Sequence, residues 1–246
     1  MKGKVDKLFI NDRDCFVYTP YSYKKNMNKY YPVIYCNDGD IMMKCFDKIV
    51  DNIEKFSNKN EDNECIIVMV PPLNRNKEYT PWKSQNPFNK ETFYGNADEY
   101  IDFLINCVMK KINELYRTKV IREFNYILGY SLGGLVSLYT MYKTDVFMKA
   151  ACISSSLWYE DWGEFIKENK LVNKNSQIFL YLGKNESKSR NKVLKTVLQR
   201  TNENFKILET QIGNKVSLLM NEGGHFDNIE KRYIEAIRTL QNNNKL

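Results

Sequence analysis

The sequence is poor in histidine and contains no long apolar run. His225 is the single histidine among 246 residues, so a site that needs two histidines is excluded. No stretch of about 18 apolar residues, the length that marks a membrane-spanning helix, occurs in the chain. The charged N-terminal segment Met1–Lys7 also lacks the apolar core of a signal peptide. We therefore expect a cytoplasmic protein without a membrane partner.

The cysteines form no metal-binding pattern. Without a C-x-x-C pair, the six occur singly and mostly inside apolar runs: Cys15, Cys36, Cys45, Cys65, Cys107 and Cys152. We expect reduced thiols in the core, no metal and no other cofactor. The formal charge of +7 is spread along the chain, with no basic block interleaved with aromatic residues. Nucleic acid is therefore not an expected partner, whereas a small anionic ligand fits the positive charge. The oligomeric state stays open.

Strand and helix signals alternate along the chain, with no Pro-, Gly- or Ser-rich linker and no repeat. We therefore expect one α/β domain over residues 1–246, with a mostly parallel sheet flanked by helices. The strand signals lie at Lys7–Ile10, Cys15–Thr19, Pro32–Cys36, Cys65–Val70, Tyr126–Leu128, Ala150–Ile153, Ile178–Leu182 and Lys215–Met220. The helix signals lie at Met42–Phe56, Ala97–Tyr116, Leu135–Tyr142, Val193–Leu198 and Ile229–Leu240. Between them, Leu73–Gly95 is predicted to be a long functional loop.

One stretch, GYSLGG at Gly129–Gly134, lies between a predicted strand and a predicted helix. This is the context of a nucleophile elbow, G-x-S-x-G, in which a serine occupies a strained strand-to-helix turn. Gly129 and Gly133 have no β-carbon and so allow the strand and the helix to approach closely. Ser131 is the predicted nucleophile.

A serine nucleophile needs a base and, in most such enzymes, an acid. Histidine is the usual base, and His225 follows the last predicted strand in the segment EGGH. Glu186, in the segment GKNE directly after the strand Ile178–Leu182, is the predicted acid because it lies between nucleophile and base in chain order. The competing carboxylates, less well placed by this order, are Glu160, Asp161, Glu222 and Asp227.

The developing oxyanion needs backbone N–H donors. One is expected from the residue after the nucleophile, Leu132, and one from the turn Asn37–Asp40, which follows an early strand.

In combination, these features resemble the serine esterases related to enterochelin esterase and other siderophore trilactone hydrolases, which are akin to esterase D and the mycolyl transferases. Besides the elbow, the resemblance rests on six segments: PVIYCNDGD (Pro32–Asp40), NRNKEYTPW (Asn74–Trp82), GNADEYIDFL (Gly95–Leu104), SSSLWYED (Ser154–Asp161), GKNE (Gly183–Glu186) and GGH (Gly223–His225). It implies an α/β-hydrolase fold over nearly the full length.

The resemblance also implies site residues. It assigns the second oxyanion donor to the backbone of Asp40, and it places Arg75, Lys77 and Trp82 in the substrate pocket, where a cation and an aromatic ring suit an anionic, ring-bearing ligand. The chain departs from the family at Tyr130, where a histidine is usual, and at Asp227, where a tryptophan is frequent. Some siderophore hydrolases use a Ser–His pair alone, so the resemblance also allows a site in which Glu186 is not the acid.

The sequence therefore predicts a serine hydrolase that cleaves a carboxylic ester through an acyl-enzyme, with a siderophore trilactone as one candidate substrate. An acyltransferase with the same triad and a general carboxylesterase of the esterase D type are the alternatives. A non-catalytic binding module is disfavoured, since such a module has no need of a nucleophile, an acid and a base in this order.

Overall fold

The described strands belong to one large sheet and one small hairpin. A computed structural model describes residues 1–57 and 63–242. Within these ranges the strands are β1 (Lys4–Ile10), β2 (Arg13–Thr19), β3 (Val33–Asn37), β4 (Ile66–Val70), β5 (Lys83–Gln85), β6 (Thr92–Tyr94), β7 (Asn125–Tyr130), β8 (Lys149–Ile153), β9 (Gln177–Gly183) and β10 (Val216–Asn221). The α-helices are α1 (Ser22–Lys25), α2 (Gly39–Met43), α3 (Phe46–Ser57), α4 (Arg75–Glu78), α5 (Ala97–Phe103), α6 (Lys110–Leu115), α7 (Leu132–Lys143), α8 (Trp162–Glu168), α9 (Val197–Ile212) and α10 (Ile229–Gln241).

Eight strands form the large sheet in the order β1-β2-β4-β3-β7-β8-β9-β10. Strands β1 and β2 form an antiparallel hairpin, and β2 pairs antiparallel with β4. From β4 to β10 every neighbouring pair is parallel. The predicted fold class, a mostly parallel sheet flanked by helices, is confirmed.

Helices cover both faces of the sheet, which explains why the central strands are apolar throughout. In β3, Val33 and Tyr35 belong to one buried cluster, and Ile34 and Cys36 belong to the other. The first cluster is completed by side chains of α5, α7, α8 and α9, and the second by side chains of α3 and α10. Because successive side chains of a strand point to opposite faces, a strand buried on both sides reads as a continuous apolar run. Of the described helices, none has the length and apolarity needed to cross a membrane.

The segment Leu73–Gly95 is more ordered than the sequence predicts. It contains the short helix α4 and the antiparallel hairpin β5–β6. Tyr79 and Phe93 are almost fully buried and anchor the segment on the core. Strands of three residues are too short to show an alternating pattern, so the prediction of a long loop missed α4 and the hairpin, whereas the rest of the segment is irregular. The helix predicted at Ala97–Tyr116 is present, with a π-helical stretch at Leu104–Met109.

The turn between β7 and α7 brings strand and helix into unusually close contact. Ser131 adopts φ 57° and ψ −116°, a strained conformation for a residue with a side chain. A β-carbon on Gly129 would lie only 2.0 Å from the carbonyl oxygen of Gly133. Glycine is therefore required at position 129, and the turn has the close strand-to-helix approach that its sequence predicts.

Candidate active site

The candidate site lies at the carboxyl edge of the parallel strands. Ser131 directly follows β7, Ser154 follows β8, Glu186 follows β9, and His225 follows β10. These four strands are neighbours in the sheet, so their carboxyl ends lie side by side. In open parallel sheets this edge is where ligands bind. Segments that are 94 residues apart in the chain are brought together here by the strand order.

Ser131, His225 and Glu186 form a hydrogen-bonded chain. The Ser131 Oγ lies 3.2 Å from the His225 Nε2, and the His225 Nδ1 lies 2.8 Å from the Glu186 Oε2. The carboxylate is 1% exposed and the imidazole 13%. With Nδ1–H donating to the carboxylate, Nε2 is free to accept the serine proton. The structure thus brings together the nucleophile, base and acid that the sequence suggests.

Glu186 is ionised in spite of its burial. Desolvation alone raises the pKa of a buried carboxyl, but hydrogen bonds from His225, from the Ser154 hydroxyl and from the Gly183 N–H outweigh it, and the pKa of Glu186 is lowered. Arg232 adds a charged donor at 2.8 Å. A carboxylate held in this way can orient the imidazole and stabilise its protonated form.

Three of the four competing carboxylates have other partners. Glu160 accepts a hydrogen bond from the Ser84 hydroxyl, Glu222 pairs with Lys184, and Asp227 accepts from the Gly224 N–H at 2.7 Å. Asp161 precedes helix α8 as its N-cap residue.

Both predicted oxyanion donors lie in the first turn of a helix. Leu132 is the first residue of α7, and Asp40 is the second residue of α2. N–H groups at such positions have no acceptor within their own helix and are available to an anion. Convergence of the Leu132 and Asp40 N–H groups on one oxygen stays a prediction.

Arg75 lines the cleft, but its guanidinium is largely occupied by the protein. It donates to the fully buried carboxylate of Asp38 at 2.7 and 2.9 Å, and to the carbonyl oxygen of Tyr130 at 2.9 Å. Burial raises the pKa of Asp38 against the opposing effect of Arg75. Because Tyr130 is the last residue of β7 and precedes Ser131, Arg75 connects the Asp38 turn to the end of β7. The Asp38–Arg75 pair was missed by the sequence analysis, which considered Arg75 only as a ligand for the substrate.

An open cleft of about 550 Å³ adjoins Ser131 and His225. Its wall includes five aromatic side chains, from Phe88, Phe93, Tyr130, Trp158 and Phe226. The rings of Phe88 and Trp158 meet edge to face, with centroids 5.0 Å apart. Such a wall suits a ring-bearing substrate.

Two residues expected in the pocket lie elsewhere. The Trp82 indole packs among the rings of Tyr159, Trp162 and Phe165 and donates from Nε1 to the carbonyl oxygen of Glu160 at 3.0 Å. Lys77 is exposed and does not line the cleft. This corrects the expectation for Trp82 and Lys77. Trp158, from the segment SSSLWYED, is the tryptophan that lines the cleft.

Metal ligands are not assembled near this site. Over residues 1–57 and 63–242, no group of three or more His, Cys, Asp or Glu side chains is placed to hold a metal ion.

The lowered pKa of Glu186 predicts a pH-dependent contribution to stability. Glu186→Gln removes a buried charge that faces Arg232 and should lower the free energy of unfolding by about 3 kcal/mol at pH 7. Because the folded-state pKa lies below the ordinary value of 4.5, the contribution of the carboxylate is fully present above about pH 4.5 and is lost as the pH falls through the lowered value. Urea unfolding of both proteins from pH 7 downward measures this difference.

The exposed Glu209 on α9 supplies the control, since Glu209→Gln should leave the free energy of unfolding unchanged at each pH. A stability loss in Glu186→Gln that persists undiminished in acid would contradict an ionised Glu186.

The chain is similar in sequence and fold to known proteins. The chain is 25% identical, over 251 residues, to Uncharacterized protein YbbA of Bacillus subtilis (strain 168), covering 100% of this chain and 99% of that protein. Its fold is similar to that of an IroE-like serine hydrolase from Shewanella oneidensis, with TM-score 0.77, 19% identity, and 96% of this chain and 79% of the other covered. It is also similar to that of the siderophore hydrolase EstB from Aspergillus nidulans, with TM-score 0.72, 17% identity and coverages of 97% and 94%.

A family model described as "Putative esterase" matches residues 9–226. This match spans most of the chain, including Ser131, Glu186 and His225. The protein therefore belongs to the Putative esterase family and is a carboxylic ester hydrolase.

Proposed function

We propose that this esterase cleaves its substrate through an acyl-enzyme formed on Ser131. The observation that carries the proposal is the hydrogen-bonded chain from Ser131 through His225 to the buried Glu186, which opens into the aromatic cleft. A serine hydroxyl becomes an effective nucleophile only when an adjacent base accepts its proton. The 3.2 Å separation of Ser131 Oγ and His225 Nε2 is within reach for that transfer once substrate is bound.

In the first half-reaction, Ser131 attacks the ester carbonyl while His225 Nε2 takes the serine proton. The negative charge that develops on the carbonyl oxygen is stabilised by the N–H groups of Leu132 and Asp40. His225 then gives the proton to the departing alcohol. Glu186 stabilises the imidazolium that forms in between.

In the second half-reaction, His225 takes a proton from water, which attacks the acyl group on Ser131. Collapse of the second tetrahedral intermediate returns the proton to Ser131 and releases the acid. An acyltransferase would use an acceptor alcohol in place of this water, so product analysis with and without such an alcohol separates the two reactions.

The substrate is proposed to be an ester whose acyl part carries an aromatic ring, with the trilactone of a catecholate siderophore as the specific candidate. The aromatic wall formed by Phe88, Phe93 and Trp158 supports a ring-bearing ligand, and one of the similar structures is a siderophore hydrolase. Arg75, the cation of the cleft wall among the described residues, is paired with Asp38. The cleft therefore supports ring recognition more strongly than it supports recognition of anionic charge.

We also propose a cytoplasmic location. The six cysteines are free thiols, four of them buried, and reduced cysteines are usual in the cytoplasm.

Variants of the triad test the proposed mechanism. Ser131→Ala and His225→Ala should each lower kcat for an aryl ester by about 10³-fold or more, and the double variant should be no worse than either single variant, because the triad acts as a unit. Steady-state kinetics on proteins with wild-type unfolding curves provide the measurement. Near-normal turnover in either single variant would overturn the assignment of nucleophile or base.

Variants of Trp158, which lines the cleft, and of Trp82, which does not, test the assignment of the pocket. Trp158→Ala should raise KM roughly fivefold for esters of aromatic acids, with little change for short aliphatic esters, because a ring contact worth about 1 kcal/mol is lost. Trp82→Ala, the matched control, should leave that selectivity unchanged but lower the free energy of unfolding by about 2 kcal/mol, because the half-buried indole loses its packing against neighbouring rings. A selectivity change in Trp82→Ala alone would contradict the assignment of the pocket.

The same kinetic comparison extends to the specific candidate. Faster hydrolysis of the catecholate trilactone than of ordinary aryl esters supports a siderophore hydrolase. Slow hydrolysis of the trilactone beside rapid hydrolysis of aryl esters would leave a general carboxylesterase.

A further inference from the structure

A buried arginine lies directly behind the candidate site. Arg232 is in the first turn of α10, and its side chain is 1% exposed. A guanidinium is costly to remove from water unless its charge and its N–H groups are matched by the protein. Its partners therefore indicate what the residue holds in place.

The guanidinium of Arg232 connects three loops at the carboxyl edge of the sheet. Its Nη1 donates to the Glu186 Oε1 at 2.8 Å and to the hydroxyl of Ser154, and its Nη2 donates to the carbonyl oxygen of Gly224. Ser154, Glu186 and Gly224 follow β8, β9 and β10, and Gly224 immediately precedes His225. A planar, rigid fork of donors can fix all three loops at once, which a lysine cannot do.

These contacts determine which carboxylate oxygen faces the histidine. The Glu186 Oε1 accepts hydrogen bonds from the Ser154 Oγ and the Gly183 N–H, each at 2.7 Å, in addition to that from Arg232. The other oxygen, Oε2, accepts from the His225 Nδ1. Rotation of the carboxylate would break three hydrogen bonds, so the position of Oε2 is fixed before substrate arrives.

Space for the guanidinium depends on a glycine. A β-carbon on Gly183 would lie 2.4 Å from the Arg232 Nη2 and 3.0 Å from the Glu186 Oε1. Glycine at the end of β9 thus leaves room for the Arg232 guanidinium to contact both Glu186 and Gly224.

We propose that Arg232 is a positioning residue of this esterase, which aligns Glu186 and the His225 loop so that the imidazole is held in line with Ser131. The inference rests on the proposed function of Ser131 and His225. Arg232 touches neither the substrate nor the reacting atoms; it acts through Glu186 and Gly224.

The charge of Arg232 also affects the base. The titratable groups around the guanidinium are Glu186, the His225 to which Glu186 bonds, and Tyr130, whose ring centroid lies 5.3 Å from that of His225. Removal of the cation leaves the charge of Glu186 uncompensated, which stabilises protonated imidazole. The acidic limb of the kcat/KM profile should then move to higher pH, whereas a purely structural role would leave the limb in place.

The experiment compares Arg232→Met and Arg232→Lys with a matched control on the same helix, Arg238→Met. Arg238 donates to the carbonyl oxygen of Asn52 at 3.2 Å and lies away from the site. Arg232→Met should lower kcat about 100-fold with KM changed less than about twofold, because displacement of a catalytic group by about 1 Å can cause a loss of that size. The acidic limb of its kcat/KM profile should move to higher pH. Arg232→Lys should keep the limb near its wild-type position but lower kcat about tenfold, and Arg238→Met should match the wild type in both.

Wild-type kcat in Arg232→Lys, or equal pH profiles in Arg232→Met and Arg238→Met, would overturn the positioning role. If Arg232→Met fails to fold, Arg232→Lys decides the question by its kcat per folded molecule. The proposed function is tested separately in a chain that keeps Arg232. If Ser131→Ala retains full activity, the proposed mechanism is wrong. If Ser131→Ala is inactive but Arg232→Lys has wild-type kinetics, only the inference about Arg232 is wrong.

Discussion

Burial of the Glu186 carboxylate is the constraint on which the site depends. A carboxylate that is 1% exposed must find its hydrogen bonds within the protein. Here it finds them in the loop after β8, in its own strand end, in helix α10 and in the imidazole of His225. Because each donor comes from a different element, satisfying one charge fixes the relative position of several loops. The alignment of His225 with Ser131 follows from this requirement.

The parallel sheet makes that convergence possible. Strands β7 to β10 run in one direction and lie side by side, so the residues after each strand share an edge without long connections. Gly129 allows β7 and α7 to approach closely, so that Ser131 is held in a strained turn with its hydroxyl toward His225. On the opposite side of the nucleophile, Arg75 joins the Asp38 turn to Tyr130. Ser131, the proposed nucleophile, is therefore fixed from two sides, which is the preorganisation that ester hydrolysis needs.

Much of this arrangement could be predicted from local sequence patterns. The alternation of strand and helix signals along the chain predicted the sheet and its flanking helices. The order of residues in the chain connected Ser131 and Glu186 with the single histidine. The contacts of Arg232 and the pairing of Asp38 with Arg75 could not be predicted, because both join segments that no periodicity or motif connects. Trp82 and Trp158 illustrate the same limit: a tryptophan in an irregular segment has the same local signal whether it faces a cleft or the core. Their different positions follow from tertiary packing, in which Trp82 contacts Phe165 of α8 and Phe93 of β6 contacts Tyr159.

The central claim is that Ser131 is a nucleophile activated by His225. Labelling with a fluorophosphonate probe, followed by mass spectrometry of the digested protein, tests it most directly, because the probe reacts with an activated serine and not with an ordinary hydroxyl. We predict a single adduct on the peptide that contains Ser131 in the wild type, and no adduct in Ser131→Ala. Equal labelling of both proteins, or labelling of neither, would contradict the account.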